Sequence, residues 1–190
     1  KATDYQKTYI ELIAQLKELL ESDLALIGSY AQMQQLAITD SLCNINNRRG
    51  FNILAEQRIK LAKRTNSLLC LLYLDIDQFK AINDQHGHGV GDAVLQEVSR
   101  VLSYTVREAD VIGRFGGDEF VALVAIENGV GLDKLKQRLI AAFEQCDYSE
   151  KLPRFTVSIG SCVVDESIDI EQLLDVADQD MLKRKQCPAG

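Results

Sequence analysis

Four carboxylates stand at the ends of two apolar runs. "SLLCLLYLDID", Ser67 to Asp77, closes on Asp75 and Asp77, and "GRFGGDEFVAL", Gly113 to Leu123, sets Asp118 and Glu119 at the start of another run. Side chains alternate along a strand, so Asp75 and Asp77 share a face. If the two runs are neighbouring strands, one carboxylate from each converges. Acids gathered this way repel unless something neutralises them, and oxygen ligands suit a hard cation such as Mg²⁺, which keeps positions open for a substrate's phosphates. The plainer alternative is solvated strand-end charge. A hairpin turn, however, needs only glycine and one short polar residue, so the second acid exceeds what the turn requires.

Other residues fit the same chemistry. Gly116 and Gly117 have no Cβ and let a phosphate or a base approach the backbone. Lys80, a few residues past Asp75, supplies a point charge suited to terminal phosphates. Asn83 offers a donor and an acceptor and Asp92 two acceptors, a set that can pair with a guanine edge, although each also suits a turn or a cap. His86 and His88 form an HxH pair that looks like a metal site but is better suited to a turn and a helix start.

Composition narrows the partners. The 190 residues are 46% hydrophobic with two prolines, enough for one compact domain and an extra element. A net charge of −7 argues against a nucleic-acid surface, which needs a basic face. Cys43, Cys70, Cys146, Cys162 and Cys187 make neither a CxxC pair nor an even set, the pattern of reduced thiols in the cytoplasm. No apolar run is long enough to span a membrane and no signal peptide is visible. The chain starts with Lys1 instead of Met, which points to a piece of a longer protein with a sensor or membrane segment elsewhere.

The elements that must position these residues follow from periodicity. From Tyr5 to Ala37, the seam Tyr5, Tyr9, Leu12, Leu16, Leu19, Asp23, Leu26, Tyr30, Met33 and Ala37 predicts a long amphipathic helix. Ile13, Leu20 and Ile27 widen its apolar face, so a bundle is as compatible as a two-stranded coil, and pairing with a second copy is the sharper reading. Asn46 or Asn47 can cap a helix running through Phe51 to about Lys63. The continuous run before Asp75 predicts a fully buried strand, and Val90, Val94, Val98 and Leu102 line one face of a following helix. "DVIGRF" and "EFVALVAI" predict a hairpin, the second strand central. A helix near 132–143, a strand from Arg154 to Val164 and a helix from Ile170 to about Lys185 complete the chain. This order predicts an α+β fold, a mixed, largely antiparallel sheet flanked by helices, preceded by a long N-terminal helix. The expected domains are 1–38 and 39–190.

With these residues in view, the chain resembles the GGDEF domains, the diguanylate cyclases that make cyclic di-GMP from two GTP. "GGDEF", Gly116 to Phe120, matches the motif that names them, and "LDIDQFKAINDQHGHGVGDAVL", Leu74 to Leu95, is similar to their second signature over nearly every position. The resemblance runs from about Asp40 to Lys185. It implies a fold like the palm of adenylyl cyclases and polymerases. It also implies Mg²⁺, with Mn²⁺ as an alternative, held by Asp75, the Ile76 carbonyl, Asp118 and Glu119. Asp118 or Glu119 would take the ribose 3′-OH proton, Asp118 being the first choice. Gly116 and Gly117 would shape the turn for GTP, Lys80 and Lys185 would contact its triphosphate, Asn83 and Asp92 its guanine, and His88 would lie near the nucleotide. The implied reaction is attack of one 3′-OH on the α-phosphorus of a second GTP, twice, with pyrophosphate leaving. One domain holds one GTP, so the resemblance implies a homodimer, for which the N-terminal seam is a tether.

"READ", Arg107 to Asp110, resembles the family's RxxD site, where cyclic di-GMP inhibits through arginine and aspartate; an ordinary ion pair is the plainer alternative. Some positions depart from the pattern. In "DSLCNINNRR", Cys43, Asn44 and Ile45 stand where threonine, glycine and leucine are usual; Leu182 stands where tyrosine is common, and the Gly-Arg-Asn that normally follows Lys185 is missing, which implies modest turnover. The rival reading is a non-catalytic cyclic di-GMP sensor using Arg107 and Asp110. Retention of Asp75, Gly116, Gly117, Asp118 and Glu119 favours the enzyme.

Overall fold

The computed structural model describes residues 9, 13, 15–24, 38–126, 129–146, 152–165 and 167–186. The chain divides into two compact units, Lys1–Ala37 and Ile38–Gly190. In the first, helix α1 covers residues 15–24. The side chains of Tyr9, Ile13, Leu16, Leu19, Leu20 and Leu24 are 50–66% exposed in the single chain, so this apolar face has no cover of its own. Tyr5, Leu12, Leu26, Ile27, Tyr30, Met33 and Ala37 of the expected seam lie outside the described residues.

The second unit runs β1 (Asn46–Asn47), α2 (Arg48–Thr65), β2 (Leu68–Ile76), α3 (Phe79–His86), α4 (His88–Thr105), β3 (Val111–Arg114), β4 (Glu119–Ile126), α5 (Gly129–Glu144), β5 (Val157–Val163) and α6 (Ile170–Gln186). The five strands lie in the order β1-β3-β4-β2-β5. The β1–β3 pair is parallel and every other neighbouring pair is antiparallel. This is the expected α+β architecture, with β4 central.

The unbroken apolarity of β2 has a structural cause: helices cover both faces of the sheet. Cys70, Leu72, Leu74 and Ile76 point into one layer with Val94, Val98, Leu139 and Phe143. Leu69, Leu71 and Tyr73 point into the other with Phe51, Leu173, Ala177 and Met181. A strand buried on both sides cannot alternate apolar with polar.

Helix ends are set locally. Asn47 caps α2, its side chain accepting from the Gly50 N–H at 3.0 Å, and Asn66 ends it in the left-handed region at φ 51°. Two elements escaped the sequence reading. The two-residue β1 is too short to show a period. The eight-residue α3 begins after Gln78, itself left-handed at φ 55° and without a side-chain cap hydrogen bond, so no start signal marks it.

Candidate active site

Asp75 and Glu119 are direct cross-strand partners in the β2–β4 ladder. The Ile76 N–H donates to the Asp118 carbonyl at 3.3 Å, which locks the approach to β4 onto the end of β2. The register therefore brings the two distant acidic pairs to one strand end. Asp75 and Glu119 continue the alternation of Tyr73 and Val121, so they face the layer that α6 covers.

The hairpin turn is tightly built. The Phe115 N–H donates to the Glu119 carbonyl at 2.9 Å. A Cβ on Gly116 would stand 2.5 Å from Glu119 Oε2, so glycine is required there for the carboxylate to fold back over the turn, whereas a Cβ on Gly117 would meet nothing within 4 Å. Arg114 stiffens the turn from below. Its Nη2 donates to the Gly117 carbonyl at 2.7 Å, and its Nη1 lies 3.2 Å from each oxygen of Asp40. Asp40 in turn accepts from the N–H groups of Leu42 and Cys43 at 3.1 and 2.8 Å. Sequence reasoning left Arg114 and Asp40 without a role; a partnership between residues so far apart in the chain has no local signature.

Burial and then neighbouring charge raise the pKa of three of the acids. Burial pushes the Asp118 carboxyl up, and the Asp75 charge adds to it. Burial also pushes Glu119 up, a hydrogen bond from the Tyr73 hydroxyl works against this, and the charges of Asp75, Asp118 and Asp178 push it further. Asp178 is raised by burial and then by Asp175 and Asp75. Helix α6 thus adds a fourth acid, Asp178, to the group of Asp75, Asp118 and Glu119. Asp178 and Lys185 stand two turns apart on one helix face, a spacing from which the addition could have been read. All the donors are oxygen, partly buried and mutually repelling, which fits a hard divalent cation. As the side chains stand, no group of three ligands is closed around a single point among the described residues.

The other expected residues divide. Lys185 Nζ hydrogen-bonds Asp75 Oδ1 and stands 3.9 Å from Asp77 Oδ1. Asp77 is held by the hydroxyls of Thr156 and Ser158, each at 2.6 Å, so it braces β5 against the end of β2. Asn83 lies against Gly91, where a Cβ would come within 1.9 Å of its Oδ1, and this contact brings Asn83 beside the residue preceding Asp92. Lys80 is exposed in the first turn of α3, and His88 is exposed as the first residue of α4.

Arg107 and Asp110 lie at the opposite end of the sheet. Asp110 accepts from the Arg107 N–H at 2.9 Å and from the Ala125 N–H at 3.0 Å. Arg107 is exposed and lines a cavity of about 620 Å³ with Ile59, Leu68, Ala125 and Val164. Leu68 pairs with Ile126 at this end of β2 and Asp75 with Glu119 at the other, so the length of the strand separates the two places.

Residues 37–189 match the family model described as "Diguanylate cyclase, GGDEF domain". Among curated proteins, the chain is 35% identical over 169 residues to diguanylate cyclase DgcP of Pseudomonas aeruginosa, covering 87% of this chain and 25% of that protein. It is 30% identical over 176 residues to diguanylate cyclase DgcS of Shewanella oneidensis, covering 91% of this chain and 58% of that one. The chain therefore spans between a quarter and somewhat over half of these relatives. Among solved structures, the coiled coil and GGDEF domain of DgcB from Caulobacter crescentus, in complex with c-di-GMP, matches with a TM-score of 0.83 at 25% identity, covering 93% of this chain and 95% of that one.

Proposed function

Because the chain belongs to the GGDEF family, we propose that it is a diguanylate cyclase, condensing two GTP into cyclic di-GMP and two pyrophosphates as a cytoplasmic homodimer. The observation that carries this reading is the pairing of Asp75 with Glu119 at the intact Gly116–Phe120 turn, where burial and neighbouring charge hold the carboxyls of Asp118, Glu119 and Asp178 above their ordinary values. Such a centre favours a bound cation, through which an anionic phosphate would be held.

In this reading Asp75, the Ile76 carbonyl, Asp118 and Glu119 hold Mg²⁺ or Mn²⁺, which would acidify the attacking hydroxyl and offset charge on the leaving group. Asp118 or Glu119 accepts the 3′-OH proton, a role suited to a carboxylate whose pKa lies above the ordinary range. Lys80 and Lys185 take the triphosphate, Asn83 and Asp92 the guanine edge, and His88 lies near the nucleotide. The open space over Gly117 supports a close approach of the nucleotide to the backbone. Two half-sites must meet, and the uncovered apolar face of α1 supports pairing with a second copy. Domain boundaries at 1–38 and 39–190 follow from this division of labour. At the far end of the sheet, exposed Arg107 and half-buried Asp110 bind cyclic di-GMP and inhibit. Among the described residues no helix is long and apolar enough to cross a membrane.

The test is incubation with GTP and Mg²⁺, with nucleotides resolved by chromatography, beside the Asp118→Ala, Glu119→Ala double variant. Cyclic di-GMP from the parent alone is expected. No product, together with tight binding of added cyclic di-GMP, would replace the enzyme by the sensor.

A further inference from the structure

The last turn of α6 delivers Lys185 to Asp75, and a second ion cluster one turn earlier holds that turn. Asp180 Oδ2 accepts from the Ser161 N–H at 2.9 Å and from Arg184 Nε at 3.0 Å, and stands 3.7 Å from Lys136 Nζ. Lys136 is the one buried charged residue among the described residues. A buried ammonium is costly unless paired, so the Asp180 carboxylate beside it is a feature to explain.

Topology shows what this cluster does. Helix α5 packs Leu139 and Phe143 on one face of the sheet, and α6 packs Leu173, Ala177 and Met181 on the other. Strand β5 is the outermost strand on that side. The Lys136–Asp180 pair therefore passes around the free edge of β5 and links two helices that the sheet separates. On the way, Asp180 satisfies the outward N–H of Ser161, which an open edge would leave unpaired. The neighbouring Gly160 allows α6 to lie directly on β5, since a Cβ there would stand 2.2 Å from the Ala177 carbonyl oxygen and 2.3 Å from the Met181 nitrogen. Arg184, which shares Asp180, immediately precedes Lys185. An exposed i,i+4 pair such as Asp180–Arg184 is worth little by itself, so the clamp depends on the buried Lys136 and the strand N–H.

We propose that Asp180, braced by Lys136, is a positioning residue that fixes the rotation of the last turn of α6 and so aims Lys185 at the Asp75 carboxylate and the substrate phosphates. The inference rests on the reading of Lys185 as a triphosphate contact given above. It deepens that reading by assigning the aim of Lys185 to residues that touch no substrate.

The test has two arms. The first is a nucleotide-free crystal structure of Asp180→Asn, which keeps an oxygen for Ser161 and removes the charge that holds Lys136. Lys185 Nζ is expected to leave Asp75 while α6 stays on β5; Lys185 still on Asp75 would overturn the proposal. The second is a double-mutant cycle of Asp180→Asn with Lys185→Met, following KM for GTP and kcat separately. Each single variant is expected to raise KM about tenfold, with the double variant no worse than Lys185→Met alone, because one residue acts through the other. Losses that multiply, or a fall in melting temperature with KM unchanged, would reduce Asp180 to a stabilising role and overturn the proposal. Lys136→Met, which keeps the aliphatic stem, should reproduce Asp180→Asn, and it replaces that variant if Asp180→Asn does not fold. A wild-type chain that makes no cyclic di-GMP would defeat the cyclase reading, while the crystal structure still decides the position of Lys185.

Discussion

Arg114 Nη1 lies 3.2 Å from both carboxylate oxygens of Asp40, a contact across 74 positions of sequence. The same guanidinium holds the Gly117 carbonyl. The segment that leads into the domain is thereby coupled to the turn carrying the acids. Arg114→Lys keeps the charge but not the planar fork, and it should lower stability by about 2 kcal/mol and reduce cyclic di-GMP formation together. Urea unfolding and the chromatographic assay check this; a stable but inactive variant would limit Arg114 to catalysis.

The same pair predicts a pH dependence. Burial pushes Asp40 up, but the N–H groups of Cys43 and Leu42 and the Arg114 charge outweigh it and hold the carboxyl below its ordinary value. A depressed folded pKa gives stability that is present above the unfolded value and lost as pH falls through the folded one. The wild type should therefore lose stability between about pH 4 and pH 2 more steeply than Asp40→Asn. Denaturant midpoints measured across that range would show parallel slopes if the pair were irrelevant.

Asp118 and Glu119 predict the opposite sign. Their raised pKa values mean that the charged forms are unfavourable in the protein without a cation. Asp118→Asn and Glu119→Gln should raise the stability of the metal-free chain by about 1 kcal/mol while abolishing turnover. Thermal melts in chelator would contradict this if either variant melted lower.

The adjacent glycines should separate cleanly. Gly116→Ala drives a Cβ to 2.5 Å from Glu119 Oε2 and displaces a proposed catalytic carboxylate, whereas Gly117→Ala finds 4 Å of open space. The first should lose kcat and the second should keep kcat and raise KM for GTP, because its methyl occupies only the space offered to the nucleotide. Equal kcat in both variants would remove the structural distinction.

Gly160→Ala tests the seating of α6. Its Cβ would collide with backbone atoms of Ala177 and Met181, which cannot rotate away. A loss of about 3 kcal/mol is expected in denaturant unfolding. An unchanged midpoint would mean that α6 sits more loosely than the contact implies.

Much of this was legible in residue types and periods. Continuous apolarity marked β2 because helices bury both its faces, and the Gly-Gly-Asp-Glu turn marked the acid centre because glycine and paired carboxylates have few other joint uses. The short α3 and β1 were not legible, since neither is long enough to show a period nor begins with a capping signal.

The sequence by itself determined the α+β class, the acids at the ends of two runs and the family, all of which rest on local pattern. Only the tertiary structure decided which acid faces which, since the Asp75–Glu119 partnership is a matter of strand register and a shift of one residue would turn a carboxylate to the other face. The same holds for the grip of Arg114 on Asp40 and for Lys136 reaching Asp180 around β5. These contacts join segments that are distant in the chain, and chain closure and packing set such distances, not the propensities of neighbouring residues.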